Sequence, residues 1–300
     1  MNTTTLVPVA RRSSVQTARL VISLFKLRIG TLIMVTALVG LAVTPGAAPS
    51  LAQVMVLALS VLGASASVGA FNQYYEFEND RLMARTRRRA FASGALPRTP
   101  AWLLMIGALL AASVGSAWWM LGASAAVYIF LGAFFYGVVY TVWLKQRSWT
   151  NIVIGGLSGS FAVLAGAAVV DPAIGALPGI LALVLFLWTP PHFWSLAIAG
   201  QADYAAAGVP MLPVVVGPER AAKAVFASTI ALVLASLLPG WFGAGPVYML
   251  GAVVGGGYFL IKSWTLALEP SRKTAMGSFF ASLLQLSLLL GAASIDGLIR

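Results

Sequence analysis

Long apolar runs, each closed by a short polar interruption, set the rhythm of this chain. A helix rises about 1.5 Å per residue, so about 20 apolar residues cross the roughly 30 Å hydrocarbon core of a bilayer. Runs near 29–46, 52–75, 101–120, 122–143, 151–170, 178–199, 221–239, 246–262 and 275–294 meet or approach that length. The pattern predicts an all-α polytopic membrane protein of about nine transmembrane helices. Glycine and proline mark tight turns at Pro45-Gly46, Gly122, Asp171-Pro172 and Gly240 through Pro246. The junctions 76–100 and 200–220 are long. Residues 1–28 are polar, rich in Ser and Thr and free of acids, and 29–300 are expected to form one transmembrane domain.

Composition agrees with that pattern. Apolar residues make up 60% of the chain and charged residues 9%, which excludes a water-soluble globular fold. Cysteine is absent, so disulfides, thiolate metal sites and thiol nucleophiles are excluded. A net charge of +11 raises the question of nucleic acid, but the basic residues sit in loops between apolar runs, where they set orientation. Nucleic-acid binding is not expected.

With the N-terminus in the cytoplasm, nine helices sort 18 Lys and Arg to that side and only Arg300 to the other. Merging or splitting one helix would destroy the asymmetry. The loops after the second and sixth helices then share the cytoplasmic face. A cleaved signal peptide is not expected, because the run to Pro45 approaches spanning length. A transit peptide has a similar composition, so a mitochondrial inner membrane is the alternative to a bacterial one.

Chemistry concentrates between Phe71 and Arg89, FNQYYEFENDRLMARTRRR, where three acids precede a run of arginines. At about 100° per residue, Asn72, Glu76 and Asp80 fall on one slowly drifting helical stripe, whereas Glu78 points away as a solvated acid. The second loop carries Asp203, the only acid between Asp171 and Glu219. Carboxylates suit Mg²⁺, which leaves most of its shell to water and substrate phosphates, and arginine forks match phosphate oxygens. The expected site is therefore a diphosphate site. Glu76, Asp80 and Asp203 would hold metal, and Arg85, Arg89, Lys145 and Arg147 would neutralise the leaving group, beside apolar helices that house a lipid tail.

NxxxExxxD followed by MxRTxxR, from Asn72 to Arg89, resembles the first acidic motif of the UbiA superfamily of intramembrane prenyltransferases. YTVWLKQRS (140–148), WTPPHFW (188–194) and DYAAAGVPMLPVV (203–215) narrow the resemblance to its protohaem-farnesylating branch. It covers nearly the whole chain and implies a nine-helix bundle around a central cavity. It also implies Asn72, Glu76 and Asp80 as the first Mg²⁺-diphosphate site, Arg85, Arg89 and Lys145 as diphosphate contacts, and Asp203 as the core of the second motif. The implied reaction transfers farnesyl from farnesyl diphosphate to a vinyl group of haem B. Tyr136, Tyr140, Phe193 and Trp194, with Tyr204 of the second motif, are the aromatic candidates beside prenyl or haem.

His192, the only histidine, is open to two readings: a haem partner, or a side chain satisfying backbone left free by Pro190-Pro191. Haem A synthase or terminal-oxidase assembly factors are the implied partners. The chain departs from the family pattern at Glu76, usually Asp, at Ala90 and Gln146, and at Gly200, Gln201 and Ala202, where basic residues are common. A sister enzyme acting on an aromatic quinone precursor shares the first motif. A transporter would place its charges near mid-membrane rather than at one interface. Gly155-Gly156 and Gly255 to Gly257 are expected to serve close helix packing.

Overall fold

The computed structural model describes residues 13–299. Arg11, Arg12 and Arg300, three of the charges that set the orientation, lie outside the described residues. The helices are α1 Ser14–Leu24, α2 Leu27–Val43, α3 Leu51–Tyr75, α4 Phe77–Leu82, α5 Ala101–Leu121 and α6 Ala123–Phe134, the last running into a π-helical segment, Phe135–Leu144. They continue with α7 Asn151–Gly155, α8 Leu157–Val170, α9 Ala176–Ala199, α10 Gln201–Ala206, α11 Leu212–Val216, α12 Pro218–Leu237, α13 Pro246–Leu268 and α14 Arg272–Leu298. Eight spans among the described residues are long and apolar enough to cross a membrane. The pair α1–α2, bent by 42°, makes a ninth when taken as one.

This pair differs from the expected polar N-terminal segment. Ser13 and Gln16 form a capping box that starts α1 inside residues 1–28. Leu24 is buried, and Leu20, Val21 and Phe25 pack with it against Ala70, Tyr74 and Phe91.

Each spanning helix packs on the next in a closed ring: α2, α3, α5, α6, α8, α9, α12, α13, α14 and back to α2. With lipid outside, burial of apolar surface cannot drive this packing, so small residues and polar links take over. A Cβ on Gly40 would land on the Val163 carbonyl and one on Gly166 on the Ala37 carbonyl, which is how closely α2 and α8 approach. Ser67 donates to the Ile106 carbonyl at 2.8 Å and Ser160 to the Ala182 carbonyl at 2.7 Å, each across a helix pair.

Two places in the ring share a construction. Helix α3 breaks at Glu76 (φ −92°, ψ 11°) and resumes as the six-residue α4; α9 breaks at Gly200 (φ −117°, ψ 26°) and resumes as the six-residue α10. Each short helix carries an acid of interest, Asp80 or Asp203. The two acidic helix ends thus repeat one construction, and Met83 after α4 packs with Tyr204, Ala207, Val209 and Met211 of the second loop.

Candidate active site

The stripe forms as its spacing predicts. Glu76 N donates to the Asn72 carbonyl at 3.0 Å and Asp80 N to the Glu76 carbonyl at 2.9 Å, so the four-residue ladder continues across the break. Asn72, Glu76 and Asp80 are 3%, 2% and 2% exposed, whereas Glu78 is open to solvent. Buried carboxylates need partners. Arg89 Nη1 donates to both Asp80 oxygens, at 2.9 and 2.8 Å, and Lys145 forms an ion pair with Glu76. Thr86 Oγ1 donates to the Asp80 carbonyl at 2.9 Å, which folds the arginine turn back onto α4.

Lys145 reaches Glu76 because of the π-helical segment. Its backbone hydrogen bonds run five residues back, as from Lys145 N to the Tyr140 carbonyl at 2.9 Å, and the Thr141 side chain donates to the Tyr136 carbonyl at 2.8 Å. The widened turn brings Tyr136, Thr141 and Lys145 onto the acidic stripe. Asn72 Nδ2 donates to Thr141 Oγ1 at 3.0 Å, and Asn72 Oδ1 accepts from Lys26 Nζ at 2.6 Å, which also donates to Tyr136 Oη at 3.1 Å. Asn151 Nδ2 holds the Lys145 carbonyl at 3.1 Å. Tyr136 and Tyr140 stack with ring centroids 5.8 Å apart; a Cβ on Gly155 would lie 2.9 Å from the Tyr140 ring, so only glycine leaves that ring its place.

Below Tyr136 the polar cluster gives way to a narrow apolar cleft of about 30 Å³ between α2, α3, α6 and α8, lined by Ile33, Val61, Val68, Ile129 and Ala162 among others.

The remaining candidates divide. Arg85 is exposed and has no ion pair among the described residues, yet lies close enough to act electrostatically on Tyr140. Arg147 turns the other way, donating to the Val142 and Trp143 carbonyls at 3.0 and 2.9 Å, so it closes the end of its own helix. Asp203 is half-buried, and its carboxylate has no hydrogen bond or ion pair among the described residues. Gln201, where the family often has a base, instead donates to the Pro213 carbonyl at 2.8 Å and closes the second loop.

Three successive residues of α9 face three ways. Phe193 joins Tyr140, Tyr204 and Met83 beneath the two loops. Trp194 packs in a separate cluster with Leu212, Ala222 and Leu266, its ring 6.4 Å from that of Trp149. His192 is 5% exposed, stacked between Trp188 at 4.1 Å and Phe279 at 4.5 Å, with Nδ1 bonded to Ser282 Oγ at 2.7 Å. Its hydrogen-bond partner is thus Ser282 and not a carbonyl freed by Pro190-Pro191.

Glu76 and Asp80 offer hard carboxylate oxygens one helical turn apart, but among the described residues no three His, Cys, Asp or Glu side chains gather as a metal site. Glu76, Asp80 and Asp203 thus form a pair and a single acid across two packed loops. Such a set fits an ion that completes its shell with substrate phosphates, and does not form an all-protein cage.

A model of the UbiA prenyltransferase family matches residues 33–288. The chain belongs to the UbiA prenyltransferase family. Among UbiA relatives, protoheme IX farnesyltransferase 2 of Paramagnetospirillum magneticum is 57% identical over 92% of this chain and 96% of its own length. Protoheme IX farnesyltransferase 1 of the same organism is 46% identical over 93% and 99%. A solved structure of digeranylgeranylglyceryl phosphate synthase superposes with a TM-score of 0.79 at 16% identity, covering 95% of this chain and 100% of that one. A UbiA homologue from Archaeoglobus fulgidus, bound to DMAPP and Mg²⁺, gives 0.68 at 16% identity over 89% and 99%. At such identities these structures establish the UbiA fold.

Two site residues escaped the sequence reading. Lys26 was absorbed by the charge that fixes orientation, since it stands with Arg28 just ahead of the first apolar run. Thr141 lay inside the YTVWLKQRS string, but as one hydroxyl in an apolar run it gave no signal without the π turn.

Proposed function

We propose that this UbiA enzyme transfers farnesyl from farnesyl diphosphate to a vinyl group of haem B in a Mg²⁺-dependent reaction, giving haem O. The observation that carries the prenyl-transfer chemistry is the pair of buried carboxylates, each held by a cation, at the mouth of an apolar cleft. The acceptor follows from the relatives named as protoheme IX farnesyltransferases and from the WTPPHFW and DYAAAGVPMLPVV strings.

Glu76, Asp80 and Asp203 would hold magnesium together with the diphosphate. When bound, the ion supplies Lewis-acid charge to the departing phosphate oxygens. Lys145 and Arg89, already aimed into the site, exchange their carboxylates for phosphate oxygens and neutralise the leaving group as the C1–O bond breaks and its electron pair departs. The stacked Tyr136 and Tyr140 present ring faces beside the cleft, where they stabilise the positive charge left on the allylic carbon. The haem vinyl carbon adds to that carbon, and water supplies a hydroxyl to the neighbouring position with loss of a proton. The cleft keeps bulk water from the allylic carbon before this addition. The two loops would face the cytoplasm of a bacterial plasma membrane, a reading supported by the one-sided distribution of Lys and Arg and by bacterial relatives.

Purified protein supplied with Mg²⁺, farnesyl diphosphate and haem B should yield a farnesylated, hydroxylated haem by mass spectrometry. No haem product, together with prenylation of 4-hydroxybenzoate, would assign the chain to the quinone branch.

A further inference from the structure

The first acidic helix end carries a second cluster of charge that the proposed reaction does not use. Phe77 and Arg81 follow Glu76 and Asp80 by one residue, so they stand about 100° round the helix from the carboxylate stripe. Arg81 reaches back over Phe77, its guanidinium carbon 5.2 Å from the ring centre, and its Nε donates to the Ala92 carbonyl at 2.8 Å. Arg98 comes from the far end of the same loop and lies 4.4 Å from the ring centres of both Tyr74 and Phe77. Two guanidiniums gathered at one ring stand within about 10 Å of each other, no further than the screening length at 0.1 M salt. Both residues are exposed, and neither has an ion pair among the described residues, not even with the nearby Glu78.

The pair is held in place by its surroundings. Arg98 sits between Pro97 and Pro100, whose rings restrict the backbone, and Trp102 Nε1 donates to the Pro97 carbonyl at 3.1 Å. Tyr74 meets Phe91, and Phe91 meets Trp102, edge to face at 5.7 and 5.5 Å, which braces a ring on which Arg98 lies. A guanidinium stacked by its face keeps N–H groups at its edge for an acceptor. The depth is that of lipid headgroups. Arg98 stands three residues ahead of the span Ala101–Leu121, whose first turns expose Leu103 and Leu104, and Leu82 beside Arg81 is exposed as well.

We propose that Arg81 and Arg98 form a site for the headgroup of an anionic phospholipid in the leaflet on the side of the two loops. The phosphodiester accepts hydrogen bonds from the guanidinium edges, whose forks match phosphate oxygens, while the acyl chains run along α5 past Leu103 and Leu104. A soluble phosphate meets the same charges and lacks that apolar contact. The lipid site is separate from the diphosphate site, since Arg89 and Lys145 engage the carboxylates whereas Arg81 and Arg98 engage Phe77. A bound lipid relieves the repulsion between two neighbouring cations and fastens both ends of the loop from which Arg89 reaches Asp80.

The experiment follows the fluorescence anisotropy of tail-labelled phosphatidylglycerol bound to the purified full chain in neutral detergent. Wild type is compared with Arg98→Gln, the double variant Arg81→Gln/Arg98→Gln, and Arg272→Gln, which removes an exposed cation at the start of α14. Unlabelled phosphatidylglycerol, phosphatidylcholine and inorganic phosphate serve as competitors, and thermal unfolding is measured without added lipid. Wild type is expected to prefer phosphatidylglycerol over phosphatidylcholine. Arg98→Gln should bind it about fivefold more weakly, the change expected for one basic residue at a lipid surface, and the double variant should lose the preference. Arg272→Gln should bind as wild type does, and Arg98→Gln should unfold at the wild-type temperature. Unchanged binding in Arg98→Gln and the double variant would overturn the site. An equal loss in Arg272→Gln would reduce it to diffuse surface charge, and displacement by inorganic phosphate as readily as by phosphatidylglycerol would make it a soluble-anion site; either result contradicts the proposal.

Discussion

The two acidic helix ends share a construction and differ in how their charges are kept. At the end of α3, Glu76 and Asp80 are almost fully buried and each has a cation in contact. At the end of α9, Asp203 is half open and unpaired among the described residues, and Gln201 beside it serves the loop. The first end is therefore structural and chemical at once, because its acids stabilise buried cations even before substrate arrives. The second end is purely an offer of a carboxylate. Mutations at the two ends should separate folding from catalysis.

The largest effect is expected at the first end. Glu76→Gln should lower farnesyl transfer on the order of 10³-fold. It should also lower stability, by about 3–5 kcal/mol where Lys145 stays buried without its counter-ion. Adding Lys145→Met to Glu76→Gln should restore the unfolding temperature and leave activity lost; a double variant as unstable as the single would break the ion-pair account. Next, Asp203→Asn should lower turnover by about 10²-fold, the scale of one positioned charge, with an unfolding temperature equal to wild type. A large loss of stability there would erase the contrast.

Among the cations, Arg89→Gln should raise the KM for farnesyl diphosphate at least tenfold, about 1.4 kcal/mol. Arg147→Gln should leave KM unchanged and cost under about 1 kcal/mol of stability, since it loses only a helix-end contact. Smallest of all, Glu78→Gln should change turnover less than twofold, within the ±0.5 kcal/mol usual for exposed positions. Equal behaviour of Arg89→Gln and Arg147→Gln in steady-state kinetics would contradict the division of the arginines.

Much of this was legible from residue spacing. Apolar run length gave the spans because the bilayer fixes that length, and the four-residue steps from Asn72 to Asp80 gave the stripe because helical geometry does not depend on context. The absence of bases at 200–202 already foreshadowed the lone Asp203. The π segment was not legible: a turn with five-residue bonds leaves no hydrophobic period of its own in an all-apolar span, so Thr141 and the inward aim of Lys145 stayed hidden. Lys26 was hidden for another reason, since the rule that sorts cations to the cytoplasm accounts for every basic residue near a membrane and cannot single one out. Arg147 looked like its neighbour Lys145 in sequence, and only the helix end that it closes separates them. His192 could be placed only once its packing between Trp188 and Phe279 was visible.

Everything in this account turns on a change of partners, with cations passing from carboxylate to phosphate as the donor binds. A structure determined with magnesium and the unreactive donor farnesyl thiodiphosphate tests it most directly. Lys145 and Arg89 should then contact phosphate oxygens, with the ion between the phosphates and the carboxylates of Glu76, Asp80 and Asp203. A bound donor with both ion pairs intact, or an ion that Asp203 never approaches, would contradict it.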